Sequence, residues 1–126
     1  MNAGPLTFGR AAPTIAVSDI DRALGFYRDL LRLQVTFTNG EPVGFVIVER
    51  DRAEIHLSRV PGHRGTTANV VHLLVSDATA LFEIVSAAGT KIIKRPRDHE
   101  YGLLAFVMAD PDGNRIDVGQ VIDTAD

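Results

Sequence analysis

Apolar residues follow two periodicities along this chain. Ile20, Ala23, Leu24, Tyr27, Leu30 and Leu31 recur at the i, i+3, i+4, i+7 spacing of one buried helical stripe. Ala78, Leu81, Phe82, Val85 and Ala88 repeat that design. Ser18 and Asp19 stand where the first helix needs a cap, and Ser18 with Asp21 has capping-box spacing. Asp77 offers a cap to the second helix, and Gly89 suits a left-handed stop after it. A period of two precedes each helix: Ile15 and Val17 alternate with Thr14 and Ala16, and Val71, Leu73 and Val75 alternate with Val70, His72 and Leu74.

The two halves repeat one another. Val17-Ser18-Asp19 recurs as Val75-Ser76-Asp77, Phe45-Val46 as Phe106-Val107, and Ile55 as Ile116. The later strands of the first half are expected at about Leu33–Thr38, Val43–Val48 and Ala53–Ser58. Those of the second are expected at about Thr90–Lys94, Leu103–Met108 and Arg115–Gln120. Val60-Pro61-Gly62-His63-Arg64-Gly65-Thr66-Thr67-Ala68 has the composition of a turn-forming linker. The chain therefore reads as one α+β domain over 1–126, built of two βαβββ modules at about 13–59 and 69–121 with a linker at 60–68.

Composition narrows the chemistry. With 126 residues and 45% hydrophobic side chains, the chain has enough core for a single domain without staples. It has no Cys, which removes disulfides, thiol nucleophiles and Cys-ligated metals, so any metal needs His, Asp or Glu. The net charge of -3, with Lys91-Lys94-Arg95-Arg97 as the one basic run, argues against a nucleic-acid partner. The longest apolar run, Leu103–Ala109, is far short of the roughly 18 residues of a membrane span. No secretory signal pattern opens the chain, so a cytoplasmic protein is expected. There is no GxSxG elbow, phosphate loop, HExxH or GxGxxG. Asp110-Pro111-Asp112-Gly113-Asn114 reads as a β-turn, because its Gly comes fourth rather than sixth and Val121 stands where a calcium loop needs Glu.

Strand parity sorts the polar residues. Ile55 and Leu57 belong on the helix side of their strand, which turns Glu54, His56 and Ser58 to the other face. By the same rule Ile116 and Val118 leave Arg115, Asp117 and Gly119 opposite, and Val70, His72 and Leu74 face away from the second helix. His56, His72 and Asp117 are thus the candidate polar groups. The bland alternatives are a hydrogen-bonded core or surface residue for His72, a pairing with Arg115 or another arginine for Asp117, and solvated loop positions for His63 and His99.

Val17-Ser18-Asp19, Ala23-Leu24-Gly25-Phe26-Tyr27-Arg28, Tyr101-Gly102 and Ala105-Phe106-Val107 running into Asp110-Pro111-Asp112-Gly113-Asn114-Arg115-Ile116 resemble the vicinal-oxygen-chelate superfamily over residues 13 to 121. That superfamily includes glyoxalase I, extradiol dioxygenases and the fosfomycin and bleomycin resistance proteins. The resemblance implies a glyoxalase/bleomycin-resistance fold, in which the two modules curl a mixed sheet into a cup. It also implies that four strand positions would hold a divalent metal in the enzymes of the group. Those positions here are Ala12, His56, Val70 and Asp117, so only two can ligate. Ala11-Ala12-Pro13 and the missing ligands are most similar to the metal-free bleomycin-resistance-like group. Members of the superfamily usually place Gly after the first helix, where this chain has Arg32.

The implied function is a homodimer that sequesters a small molecule, drug or metabolite, as in antibiotic resistance, without breaking a bond and with no cofactor. His56, His72, Asp117 and the rings of Phe37, Phe45, Tyr101 and Phe106 would line the ligand site. Both faces of the strands holding Phe45 and Phe106 are apolar, so parity cannot place those two rings. The alternative is a metal-dependent lyase, isomerase or dioxygenase recruiting His56, His72 and Asp117 to Fe, Mn, Zn or Ni. In that case His72 is the poorer ligand, because it lies about 6–7 Å along the strand from the usual position.

Overall fold

A computed structural model describes residues 4–99 and 102–122. The first half comprises β1 (Thr14–Val17), α1 (Ile20–Leu24) with a π-helical continuation over Gly25–Leu30, β2 (Gln34–Asn39), β3 (Phe45–Arg50) and β4 (Ala53–Arg59). The second comprises β5 (Asn69–Leu74), α2 (Ala78–Ala87), β6 (Lys91–His99), β7 (Leu103–Ala109) and β8 (Arg115–Val121). Each half makes one mixed four-stranded sheet, ordered β1-β4-β3-β2 and β5-β8-β7-β6. In both, the first strand runs parallel to the last, a pairing that requires the helical crossover between them, and the rest is antiparallel. The sequence repeat is thus a repeat of topology.

The helix-facing sides of both sheets feed one apolar core. Ile15, Val17, Val46, Val48, Leu57, Tyr27, Val85, Phe106, Met108, Ile116 and Val118 are all essentially buried in it. Asp77 caps α2 by accepting from Ala80 N, and Gly89 takes φ +82° after it, as the pattern predicts.

The first helix departs from its prediction in two ways. Asp19 is its cap, accepting from Arg22 N at 3.0 Å, while Ser18 makes no capping box and bonds to a distant turn instead. The helix then widens: Leu31 N donates to Phe26 O, five residues back, at 2.9 Å. The wider turn brings Phe26 into the buried face beside Tyr27, with ring centroids 4.9 Å apart and nearly perpendicular planes. A strict 3.6-residue stripe leaves Phe26 outside.

β6 is longer than its pattern suggests. Two register shifts against β7, between Ile92 and Lys94 and between Lys94 and Arg97, absorb extra residues and let the strand continue to His99. Pro96, which cannot donate to a ladder, sits within the second shift.

The halves meet at the 110–114 turn. Gly113 N donates to Asp110 O at 2.9 Å, with Gly113 at φ +84°, which closes the expected β-turn. The buried Asp110 carboxylate accepts from Tyr27 Oη at 2.6 Å and, at 2.9 Å each, from Asp112 N, Asn114 N and Asn114 Nδ2. Asp112 accepts from Ser18 N at 2.9 Å, from Ser18 Oγ and from Arg22. Asn114 Nδ2 also donates to Ala16 O, and its Oδ1 accepts from His63 Nε2 at 2.8 Å. His63 is therefore bound rather than a solvated loop residue. Gly65 donates to Asp112 O and lies so close to Gly113 that a Cβ there would stand 2.1 Å from Gly113 O.

Two predictions follow from this packing. Burial, reinforced by the Asp110 charge, holds the Tyr27 phenol well above its ordinary pKa, so the folded state keeps a proton that the unfolded chain releases above about pH 10. Tyr27→Phe should cost about 1–3 kcal/mol in urea unfolding at neutral pH, and its deficit relative to wild type should narrow as pH rises past 10. A deficit that stays constant through pH 11 would show that the phenol is not held neutral. Arg32 sits at φ +63°, a conformation that disfavours a β-carbon, so Arg32→Gly should raise the denaturation midpoint by the equivalent of about 1 kcal/mol.

Candidate functional site

The sheet faces turned away from the core carry the polar chemistry. On the first sheet Glu54 pairs with Glu49, His56 with Ile47, Ser58 with Phe45, and Phe37 with Ile47, so these side chains share one surface. This settles Phe45, which parity alone left open: Val46 is fully buried on the helix side and Phe45 is half-buried on the other. The Phe45 ring stands edge-on to Phe37 at 6.2 Å and to His56 at 5.5 Å. His56 Nε2 is 2.6 Å from Glu54 Oε2.

Two carboxylates directly across a strand pair repel, so Glu49 and Glu54 need a cation. Arg10 supplies it. Its Nε and Nη2 donate to Glu54 Oε1, and Nη2 reaches Glu49 Oε1 at 3.2 Å. The Arg10 hydrogen bonds, and next the one from His56, hold the Glu54 carboxyl below its ordinary pKa. Thr36 Oγ1 donates to Glu49 Oε2 at 2.7 Å. Sequence reasoning missed Arg10, which precedes the first strand and has no register. The facing Glu49–Glu54 pair was the signal that a cation had to be near.

On the second sheet His72 and Asp117 are register partners, and His72 Nδ1 lies 3.0 Å from Asp117 Oδ2. Asp117 therefore pairs with His72, not with Arg115. Phe106 requires a correction. It pairs with Val118 on the helix side, is 1% exposed, and packs its ring 5.5 Å from Phe82, so it is core and cannot touch a ligand on the cup face. Tyr101 and the side chain of His99 lie outside the described residues.

The structure brings His72 to Asp117 and leaves His56 with Glu54 on the other sheet. Among the described residues no group of three His, Asp or Glu side chains is placed to hold a metal ion. Ala12 and Val70 offer no donor. A hollow of about 560 Å³ beside the 110–114 turn is walled by Ser18, Arg22, His63 and Asp112, whose polar groups are already engaged in joining the halves.

The model of the family described as Glyoxalase/Bleomycin resistance protein/Dioxygenase superfamily matches residues 8–118. No match is found among curated proteins. A member of the glyoxalase/bleomycin resistance protein/dioxygenase superfamily from Sphaerobacter thermophilus superposes with a TM-score of 0.76 at 24% identity, covering 90% of this chain and 98% of that one. The bleomycin resistance determinant encoded on the transposon Tn5 gives 0.76 at 20% identity, with 90% and 98% covered. A lactoylglutathione lyase from Agrobacterium tumefaciens gives 0.71 at 19%, with 89% and 92% covered. At these identities the likeness shows the fold, and the fold is shared by proteins of different activities.

The first-sheet network predicts an ordered response of Glu54. In carboxyl-resolved NMR titrations, both Arg10→Ala and His56→Ala should raise the Glu54 pKa toward its ordinary value, with the larger rise in Arg10→Ala. An unchanged Glu54 titration in Arg10→Ala would show that the ion pair does not persist in solution.

Proposed function

This chain belongs to the Glyoxalase/Bleomycin resistance protein/Dioxygenase superfamily, and from that membership we propose that it is a metal-independent binding protein for a small drug or metabolite, acting as a homodimer. One observation carries the reading: two of the four positions that bear metal ligands in superfamily enzymes are Ala12 and Val70. The residual donors are committed to separate pairs, Glu54–His56 and His72–Asp117. What the faces offer instead is ring surface and hydrogen-bonding groups, which suit capture of an organic ligand.

Dimerisation is supported by what a single chain leaves uncovered. Among the described residues β1 and β5 each stand at the edge of a four-stranded sheet, with one side of the strand unpaired in its ladder. Phe37 is 50% exposed, Leu74 58% and Val121 72%, all on the faces away from the core. A second copy covering these faces would turn two open sheets into walled grooves. The candidate ligand contacts are Phe37, Phe45, His56, His72 and Asp117.

Elemental analysis and metal titration of wild type and His56→Ala test the proposal. No stoichiometric, His56-dependent binding of Fe, Mn, Zn or Ni is expected. About one equivalent per site would favour the metal-dependent lyase, isomerase or dioxygenase that recruits His56, His72 and Asp117, most simply across the dimer. A true ligand present at 100 times its dissociation constant should add about 2.7 kcal/mol of stability in a thermal-shift screen.

A further inference from the structure

The cup face of the second sheet is cationic, and among the described residues its cations have no carboxylate partner. Ala105, Val107 and Ala109 alternate along β7 on one face, and register places Arg97, Lys94 and Lys91 opposite them in turn. Arg115 pairs with Ala109, and Asp117 with Val107, so Arg115, His72 and Asp117 lie on that same face. A plain period of two would send Lys94 to the helix side. The two register shifts in β6 change the spacing from two residues to three and return Lys94 to the row with Lys91 and Arg97.

The neighbouring charges are placed differently. Arg95 lies on the other side, its guanidinium 5.6 Å from the centroid of the Phe82 ring. Asp98 pairs with Leu104, also away from the cup. Arg10, Arg22, Arg28 and Arg50 each have a carboxylate within 4 Å. Among the described residues Lys91, Lys94, Arg97 and Arg115 have none. The one carboxylate on their face among the described residues, Asp117, is bonded to His72. Four like charges on one sheet face repel, and an anion arriving there relieves that repulsion as well as forming charge-assisted hydrogen bonds.

The floor between these cations is small and apolar. Ala105, Val107 and Ala109 are each about 95% buried. At Gly119 a Cβ would come within 3.3 Å of Leu103 and 3.4 Å of the His72 ring, so the bare position lets those two groups close over the sheet.

We propose that this face binds the anionic group of a small organic ligand, a carboxylate or a phosphate ester, with Lys94 and Arg97 as the anchoring cations. The proposal rests on the reading of the chain as a small-molecule binder and specifies the ligand class. The guanidinium of Arg97 suits a planar two-oxygen acceptor, and the ammonium of Lys94 serves as a point charge beside it.

Calorimetric titration at low salt with naphthyl phosphate, naphthoate and uncharged naphthol separates the possibilities, with backbone amide shifts locating the site. The wild-type chain should bind the better of the two anions at least tenfold more tightly than naphthol, with shifts along β6 and β7. Which anion is preferred identifies a phosphate or a carboxylate ligand. Lys94→Gln/Arg97→Gln should abolish the preference, and Arg95→Gln, on the opposite face, should retain it. Naphthol binding with no preference for either anion, or a preference that survives in Lys94→Gln/Arg97→Gln, would overturn the anion site and leave the binder standing. No binding of any of the three would remove both.

Discussion

A carboxylate at the seam between the two halves organises this molecule. Asp110 is 5% exposed, and leaving a carboxylate unsatisfied there would be expensive. It accepts four hydrogen bonds, from Tyr27 Oη, two backbone N–H groups and Asn114 Nδ2, which matches the acceptor capacity of its two oxygens. Three bonds come from its own turn and one from the first helix, so satisfying the charge also docks one half on the other. Asn114 extends the contact to Ala16 and to His63 in the linker, and Asp112 holds the start of the first helix through Ser18 and Arg22. Strand, helix, linker and turn are thereby fixed together.

That docking decides where ligands can bind. The helix-facing sides of both sheets are consumed in the shared core, from Ile15 and Leu57 in one half to Phe106 and Ile116 in the other. The opposite faces, with their rings, acids and cations, remain for a ligand or a second copy. Phe106 shows the division sharply. It repeats Phe45 in the sequence, yet Phe45 stands beside His56 while Phe106 is buried against Phe82. The duplication preserved topology and not the facing of every ring.

Periodicity encodes which face a residue takes, and this much was legible: the two helices, the alternation of β4 and β8, and the placing of His56, His72 and Asp117 away from the core. Partners were not legible, because they arise from contacts between residues far apart in the chain. Ser18 is a good capping residue by local rules, but Asp112, 94 positions away, takes its hydroxyl. Local parity also fails wherever the strand count is broken. The shifts in β6 put Lys94 on the face opposite to the one its position implies, and the widened turn after α1 brings Phe26 inward. In both cases the backbone departs from the ideal repeat on which the sequence rule depends.

The two outer faces differ in a way that the net charge of -3 conceals. On the first sheet the acids Glu49 and Glu54 share Arg10 as an ion-pair partner within the chain, which leaves the rings of Phe37 and Phe45 as the distinctive surface. On the second sheet four cations stand without carboxylate partners among the described residues. In the proposed dimer, a groove walled by one face from each copy would combine an aromatic side with a basic one. A ligand fitting both walls would carry a ring at one end and an anionic group at the other. Neither face alone can distinguish such a molecule from a simple apolar compound or a simple anion, whereas the pair can, because each end is tested by a different wall.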